Sequence, residues 1–276
     1  MSIKKLIFSV VCTTLSTSAL ANTTDIKAAN NQAGIQYTST QVNYTETGNG
    51  LYGANGATLD TENGTVPGVA LSISSMQDWW LGNDYLQLAY SRDSGHTHYI
   101  GGAADGTTPY GSISGQDGAV IKDYDLRYGK GFILPNNIML TPYLEIGHHE
   151  WDRAVNAGET YTNKYYGAGM LGQYSPVRLL VLTANAFIGR TYHASINLTP
   201  DPYGFTTGMS ADLGSSNLYK VGLAADYALT PTIHANLGID YNQFKYGYGA
   251  LGNTGYGEPD SKTTYTTMKV GLGYAF

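Results

Sequence analysis

Two kinds of side chain in this sequence could do chemistry. The first is a set of charges spaced by two along β-like runs. They are Asp123, Asp125 and Arg127, then Glu145, Lys220, Asp226, His234, Asp240 and Lys269. A strand sends alternate side chains to opposite faces, so each of these shares a face mainly with small or polar neighbours. Charges on one enclosed face are costly unless paired, and Arg127 and Glu145 are placed to pair across adjacent strands. Such a network either fills a narrow interior or lines a selective water path. The second set is His96, His98, His148, His149, Glu150 and Asp152. Imidazoles at His96-x-His98 lie on one face of an extended chain, a geometry suited to metal or acid–base work. No third ligand keeps a fixed spacing, so the expectation is polar rim residues, with no metal, no cofactor and no catalytic group.

The elements holding these residues are short alternating runs. Counting back from the last residue, Phe276, Tyr274, Leu272 and Val270 form one face, and Ala275, Gly273, Gly271 and Lys269 the other. The same pattern sets Val69, Leu71 and Ile73 against Ala70, Ser72 and Ser74. It sets Tyr124, Leu126 and Tyr128 against Asp123, Asp125 and Arg127, and Leu237, Ile239 and Tyr241 against His234, Asn236 and Asp240. Links between runs alternate in length. Leu134-Pro135-Asn136-Asn137, Ser175-Pro176 and Thr230-Pro231 are tight turns, whereas 48–65, 101–118, 194–215 and 246–262 are long and rich in Gly, Asn and Pro. Nine runs lie between Gly68 and Phe276. An even number is needed to bring both ends to one side, so the weaker run Ile35 to Thr47 supplies the tenth. The alternative is eight, with the Gly68 run left out.

Composition bounds the class. The chain has 35 Gly and 24 Tyr among 276 residues, only 13% charged residues, and a mean hydropathy of −0.21. After the N-terminus no apolar run approaches the roughly 20 residues of a spanning helix. Residues 1–21 read as a signal peptide: Lys4 and Lys5, an apolar run from Leu6 to Leu15, and an Ala19-Leu20-Ala21 cleavage site. The sole cysteine, Cys12, lies inside it, so disulfides do not hold the exported chain. Removing Lys4 and Lys5 from 15 basic residues leaves 13 against 21 acidic ones, a net charge of −8. With no basic run, nucleic acid is excluded as a partner. Residues 22–33 read as a flexible polar segment, and 34–276 as the folded domain.

The aromatic-terminated closing run, with the Gly/Tyr-rich stretch 246–249 and Glu258 to Thr263 before it, resembles small Gram-negative outer-membrane barrels of the opacity and OmpA-like type. That resemblance implies an all-β, transmembrane, antiparallel up-and-down barrel in the cell outer membrane. It implies contact with outer-membrane lipid and lipopolysaccharide. It also implies recognition of Val270, Leu272, Tyr274 and Phe276 by the barrel-assembly machinery, with periplasmic chaperones on the way. The ten-strand omptin proteases offer a poorer match. Asp123-Tyr124-Asp125 looks like their Asp pair, but the chain contains no Asp-x-His. The function expected is a non-enzymatic barrel with a structural or surface-interaction role. A narrow passive pore and an omptin-like protease are the alternatives.

Overall fold

The computed structural model describes residues 23–50, 53–102, 108–155, 158–200, 207–251 and 257–276. The expected signal peptide lies outside the described residues. Ten long strands form a closed, all-antiparallel barrel. They are β1 (Gln32–Thr47), β2 (Thr58–Gln77), β3 (Asp84–Gly101), β4 (Ile113–Lys130), β5 (Ile138–Arg153), β6 (Glu159–Val177), β7 (Leu180–Leu198), β8 (Asn217–Ala228), β9 (Ile233–Tyr246) and β10 (Asp260–Ala275). Each pairs with its chain neighbours, and β10 closes on β1 from Gln32↔Ala275 to Thr47↔Asp260. The weak run at Ile35 to Thr47 is therefore a full strand, and the number is ten rather than eight. A short segment, Met209–Gly214, extends the wall ahead of β8 by pairing with the outer part of β7.

The alternation has the sense expected of a barrel in lipid. Leu71, Leu126, Leu144, Ile146, Leu223, Leu237, Val270, Leu272, Tyr274 and Phe276 are all exposed on the outside, and Leu237 is 62% exposed. Asp125, Arg127, Glu145, Lys220 and Lys269 point inward among glycines and tyrosines. Lipid offers no hydrogen-bond partner, so a spanning sheet must pair every strand and leave no edge.

The two ends differ. At one, the links are short. Asn136 and Asn137 both have positive φ (62° and 60°), the conformation a tight hairpin demands, and Leu179 (71°) turns β6 into β7. Asp84 organises the β2–β3 turn: its Oδ2 accepts the backbone N–H of Trp79 (3.1 Å), Trp80 (2.8 Å) and Leu81 (3.0 Å), and its Oδ1 the Tyr128 hydroxyl (2.8 Å). This holds the exposed Trp79-Trp80-Leu81 at the edge of the apolar belt, where amphipathic rings gather.

At the other end the strands run further than the alternation suggests. The stretches 58–65, 113–118, 194–198 and 209–214, expected as loop, are wall. A 20-residue strand at about 3.3 Å per residue and a 45° tilt rises roughly 45 Å, against an apolar band about 25 Å tall. The excess stands clear of the belt. Its outward residues, such as Gln41, Asn43, Thr61 and Asn63, are polar, so the apolar/polar contrast that marks a strand is missing there.

Residues 22–33, expected as a flexible segment, contain a short helix, α1 (Thr23–Ala29), and the first residues of β1. Ile26 is fully buried in the mouth at the turn end. Beyond α1, the Asn30 and Gln173 side-chain amides bond reciprocally (2.8 and 3.0 Å). The Asn31 amide spans the Met76 backbone, accepting its N–H (2.9 Å) and donating to its carbonyl (3.2 Å). One apolar side chain and two amides are too little for sequence patterning to register.

The outward belt carries a direct test. Leu237→Arg, at mid-belt, is expected to destabilise the refolded barrel in lipid vesicles by about 2–4 kcal/mol, and Asn43→Arg, above the belt, by about 0–1 kcal/mol. Urea titration of the two variants measures the difference; equal costs would mean that the belt is misplaced.

Candidate functional site

The inward charges expected from spacing meet in the middle of the barrel. Glu145 is the hub: its Oε2 accepts Arg127 Nε at 2.5 Å and its Oε1 accepts Lys220 Nζ at 2.7 Å. Lys220 also reaches Asp125 Oδ1 (3.0 Å) and the Tyr165 hydroxyl (2.6 Å), and Tyr165 donates to Asp125. Arg127 donates to Gln87 (3.2 Å) and lies over the Tyr143 ring. Lys269 pairs with Asp240 at 2.6 Å. Lower down, His234 Nδ1 lies 2.5 Å from Asp226 Oδ1, and Gln32 donates to Asp226 Oδ2 (2.9 Å). Asp123 stands apart, with its Oδ1 2.8 Å from His149 Nδ1. All nine expected lumen residues are thus inward and paired.

Glycine makes the space. A Cβ on Gly147 would overlap the Tyr165 ring, and one on Gly169 the Tyr143 ring. These two tyrosines can therefore lie flat across neighbouring strands and press the charges together. The network divides the lumen. Toward the turn end is a cavity of about 280 Å³, lined by Gln32, Gln36, Gln87, Asn185 and Asn236 as well as the charges and Asn30. Toward the loop end is a smaller one of about 70 Å³, lined by Asp93, Asp123, His149 and Tyr265.

The histidines do not converge. His149 points inward, with Nε2 3.3 Å from the Tyr265 hydroxyl, whereas His148 faces out beside Glu150. His96 and His98 are exposed on the outer part of β3. Glu150 and Asp152 share Lys122 on the outer face. Among the described residues, no group of three or more His, Cys, Asp and Glu is placed to hold a metal ion.

A second cluster, absent from the expected set, caps the loop end. Arg153 is buried and meets Glu62 Oε2 (2.6 Å), Glu159 Oε2 (3.1 Å), Asp60 Oδ2 (3.7 Å) and Glu46 Oε1 (3.9 Å). It lies over the rings of Tyr44 (4.5 Å), Trp151 (5.0 Å) and Tyr161 (5.6 Å), within cation–π range. Glu258, on a small hairpin of the last loop, accepts the hydroxyls of Tyr161 and Tyr44, the latter at 3.2 Å. Five buried carboxyls thus crowd one guanidinium. These residues were missed because they fall in stretches read as loop or weak strand. The available signal was the two-residue spacing Tyr44/Glu46 and Asp60/Glu62, the same spacing that revealed the lower network.

The fold and this interior define the class: a ten-stranded transmembrane β-barrel of the outer-membrane type. No protein-family model and no curated relative matches the chain. Among solved structures, the outer-membrane protease OmpT of Escherichia coli is similar over 89% of this chain and 96% of its own, at 13% identity and a TM-score of 0.56. Neisserial surface protein A, NspA, matches over 88% and 97% at 13% identity, with a TM-score of 0.31. Ail of Yersinia pestis matches over 90% and 99% at 12% identity, with a TM-score of 0.31. At these identities the likeness concerns the fold.

Two outcomes follow from the clusters. Glu145→Gln leaves two buried cations short of one partner and is expected to cost about 3–5 kcal/mol by urea unfolding. Arg127→Met/Glu145→Gln, which keeps Lys220 with Asp125, should recover most of that loss; no recovery would mean that charge balance is not what the site requires. Burial raises the Glu258 carboxyl well above the ordinary carboxylate range, with Glu46 and Glu159 adding to the effect. A raised folded-state value binds a proton that the unfolded chain has released. Its contribution is full below about pH 4.3 and is lost as pH rises through the folded value. Glu258→Gln should therefore flatten the fall in urea midpoint between pH 5 and 8; an unchanged slope counts against this account.

Proposed function

We propose that this is a non-enzymatic integral protein of the outer membrane. Residues 1–21 export it, and it sits with its short turns in the periplasm and its long loops outside. Its role is structural or one of surface interaction through those loops. The observation that carries the reading is the filled interior. The α1 helix stoppers the periplasmic mouth, the Arg127–Glu145–Lys220 network crosses the middle, and the Arg153 cluster caps the outer end. A lumen interrupted at three levels suits a scaffold better than a conduit. Val270, Leu272, Tyr274 and Phe276, outward and exposed on the closing strand, suit recognition by the barrel-assembly machinery after delivery by periplasmic chaperones.

The 280 Å³ polar cavity favours a second reading, a narrow pore that opens if α1 leaves its seat. Proteolysis is disfavoured. Asp123 and Asp125 lie inside the barrel, held by His149, Lys220 and Tyr165. At the outer mouth Glu46, Asp60, Glu62 and Glu159 are gathered on Arg153, and the Asp123–His149 pair lies below them inside the lumen.

Planar-bilayer recording separates the first two readings. The wild type is expected to show no steady ohmic steps of porin size, and deleting Thr23–Ala29 alone should leave it closed, because the Arg153 cap remains. Porin-sized steps from the wild type would overturn the proposal. A peptide-cleavage assay on the wild type and on Asp123→Ala and Asp125→Ala tests the third, with no cleavage expected from any of them.

A further inference from the structure

The outer surface carries a row of basic residues that neither the lumen nor the loops use. Its position follows from the strand alternation. On β3 to β7 the last outward residue of the belt is Tyr90, Tyr124, Ile146, Tyr166 and Ile188 in turn. The next outward residue, two positions further from the membrane centre on each strand, is Arg92, Lys122, His148, Lys164 and Arg190. On the other five strands the equivalent positions are Pro67, Ser39, Thr266, Gln243 and Asn217, all uncharged. The basic residues therefore occupy one half of the circumference at one height.

The pairing register confirms that they are neighbours. Arg92 is opposite Lys122, and His148 is opposite Lys164. Between these pairs the row steps down by two residues: His148 is opposite Tyr124, and Arg190 opposite Tyr166. The Tyr90–Tyr124–Ile146–Tyr166–Ile188 row makes the same staircase, so both rows follow one level on the tilted wall. Like charges directly opposite each other destabilise a sheet. Lys122 is neutralised by Glu150 and Asp152. Arg92 and Lys164 have no carboxylate partner among the described residues, and Arg190 donates only to the Ser215 hydroxyl (3.0 Å). At about 4.8 Å between strands, the row is roughly 20 Å wide.

We propose that the β3–β7 face binds the phosphorylated headgroup of an outer-leaflet glycolipid. This rests on the membrane placement above and adds a partner to it. The acyl chains lie along Leu88, Leu126, Leu144, Ile146 and Ile188, all exposed on these strands. The tyrosines sit at the carbohydrate level, and the guanidinium and ammonium groups sit at the phosphates. Arg is suited to bidentate phosphate contact and Lys to a point charge. A headgroup bearing two separated phosphates fits a row of this width better than one bearing a single phosphate.

The test uses the refolded, folded-checked full barrel in detergent, titrated with bisphosphorylated lipid A, with the same lipid lacking phosphate, and with inorganic phosphate. Native mass spectrometry counts bound lipid, and heat-modifiable gel migration confirms closure. Bisphosphorylated lipid A should bind the wild type, and Arg92→Gln/Lys164→Gln/Arg190→Gln should weaken that binding at least tenfold. Lys245→Gln/Lys262→Gln, which removes cations from the opposite wall, should leave it within twofold. The triple variant lies outside the lumen, so a closed barrel that no longer binds isolates the surface. Equal loss in both variants, retention in the triple variant, or equal binding of the phosphate-free lipid would overturn the proposal. Inorganic phosphate competing at millimolar concentration without any lipid preference would also overturn it, by showing a general anion site. Absence of porin-sized conductance is read separately, so failure here leaves the closed-barrel reading standing.

Discussion

The structure depends on one constraint: a sheet whose outside is oil has nowhere to send an unpaired amide. Closure of β10 on β1 meets it, and the other features follow from closure. Ten strands enclose a lumen too wide for leucines to be spared from the outside, because those are needed on the lipid face. The interior is therefore built from what remains, namely tyrosines, amides and charges, and each must find its partner within the barrel. The Glu145 hub is the result. Two cations and one carboxylate share a space that glycines at 147 and 169 keep open for Tyr165 and Tyr143.

A buried ion pair is weak evidence for stability, since desolvation offsets much of its attraction. Its value here is in register. A one-residue slip of β4, β5, β8, β9 or β10 would send its lumen charges into lipid and its outward apolar residues into the lumen. The charged interior thus penalises such a slip far more than it rewards the right register. The same reasoning explains why the closing strand carries both Lys269 inside and Val270, Leu272 and Tyr274 outside.

Legibility of the sequence tracks physical contrast. The belt was readable because lipid and lumen demand opposite chemistries, so Leu71 beside Ser72, or Leu126 beside Arg127, announces a strand and its faces. The nine lumen charges were found in the same way. Above the belt both faces meet polar surroundings, and the signal vanishes. The outer part of β2, with Asp60 and Glu62 of the Arg153 cluster, and the Met209–Gly214 segment are consequently expected as loop. The α1 helix escaped for another reason: a seven-residue helix held by Ile26 and the neighbouring amides of Asn30 and Asn31 leaves no periodicity to detect. Pairing partners across the barrel, such as Arg153 with Glu62 some ninety positions away, depend on three-dimensional closure and are not local properties of any run.

The placement of charge unites these layers. The middle of the barrel is nearly balanced, with Asp125, Glu145 and Asp240 set against Arg127, Lys220 and Lys269. The acidic excess is gathered inside the outer end, where Glu46, Asp60, Glu62, Glu159 and Glu258 surround Arg153. The outward row on β3 to β7 is basic. A chain with a net charge of −6 can therefore present cations on this outer face, because five of its carboxyls are kept within the wall beside aromatic rings and the outward Glu150 and Asp152 are paired with Lys122. Moving those carboxyls to the outer face would leave the net charge unchanged and would reverse the field at the lipid boundary. Location, rather than composition, sets the polarity that the membrane meets.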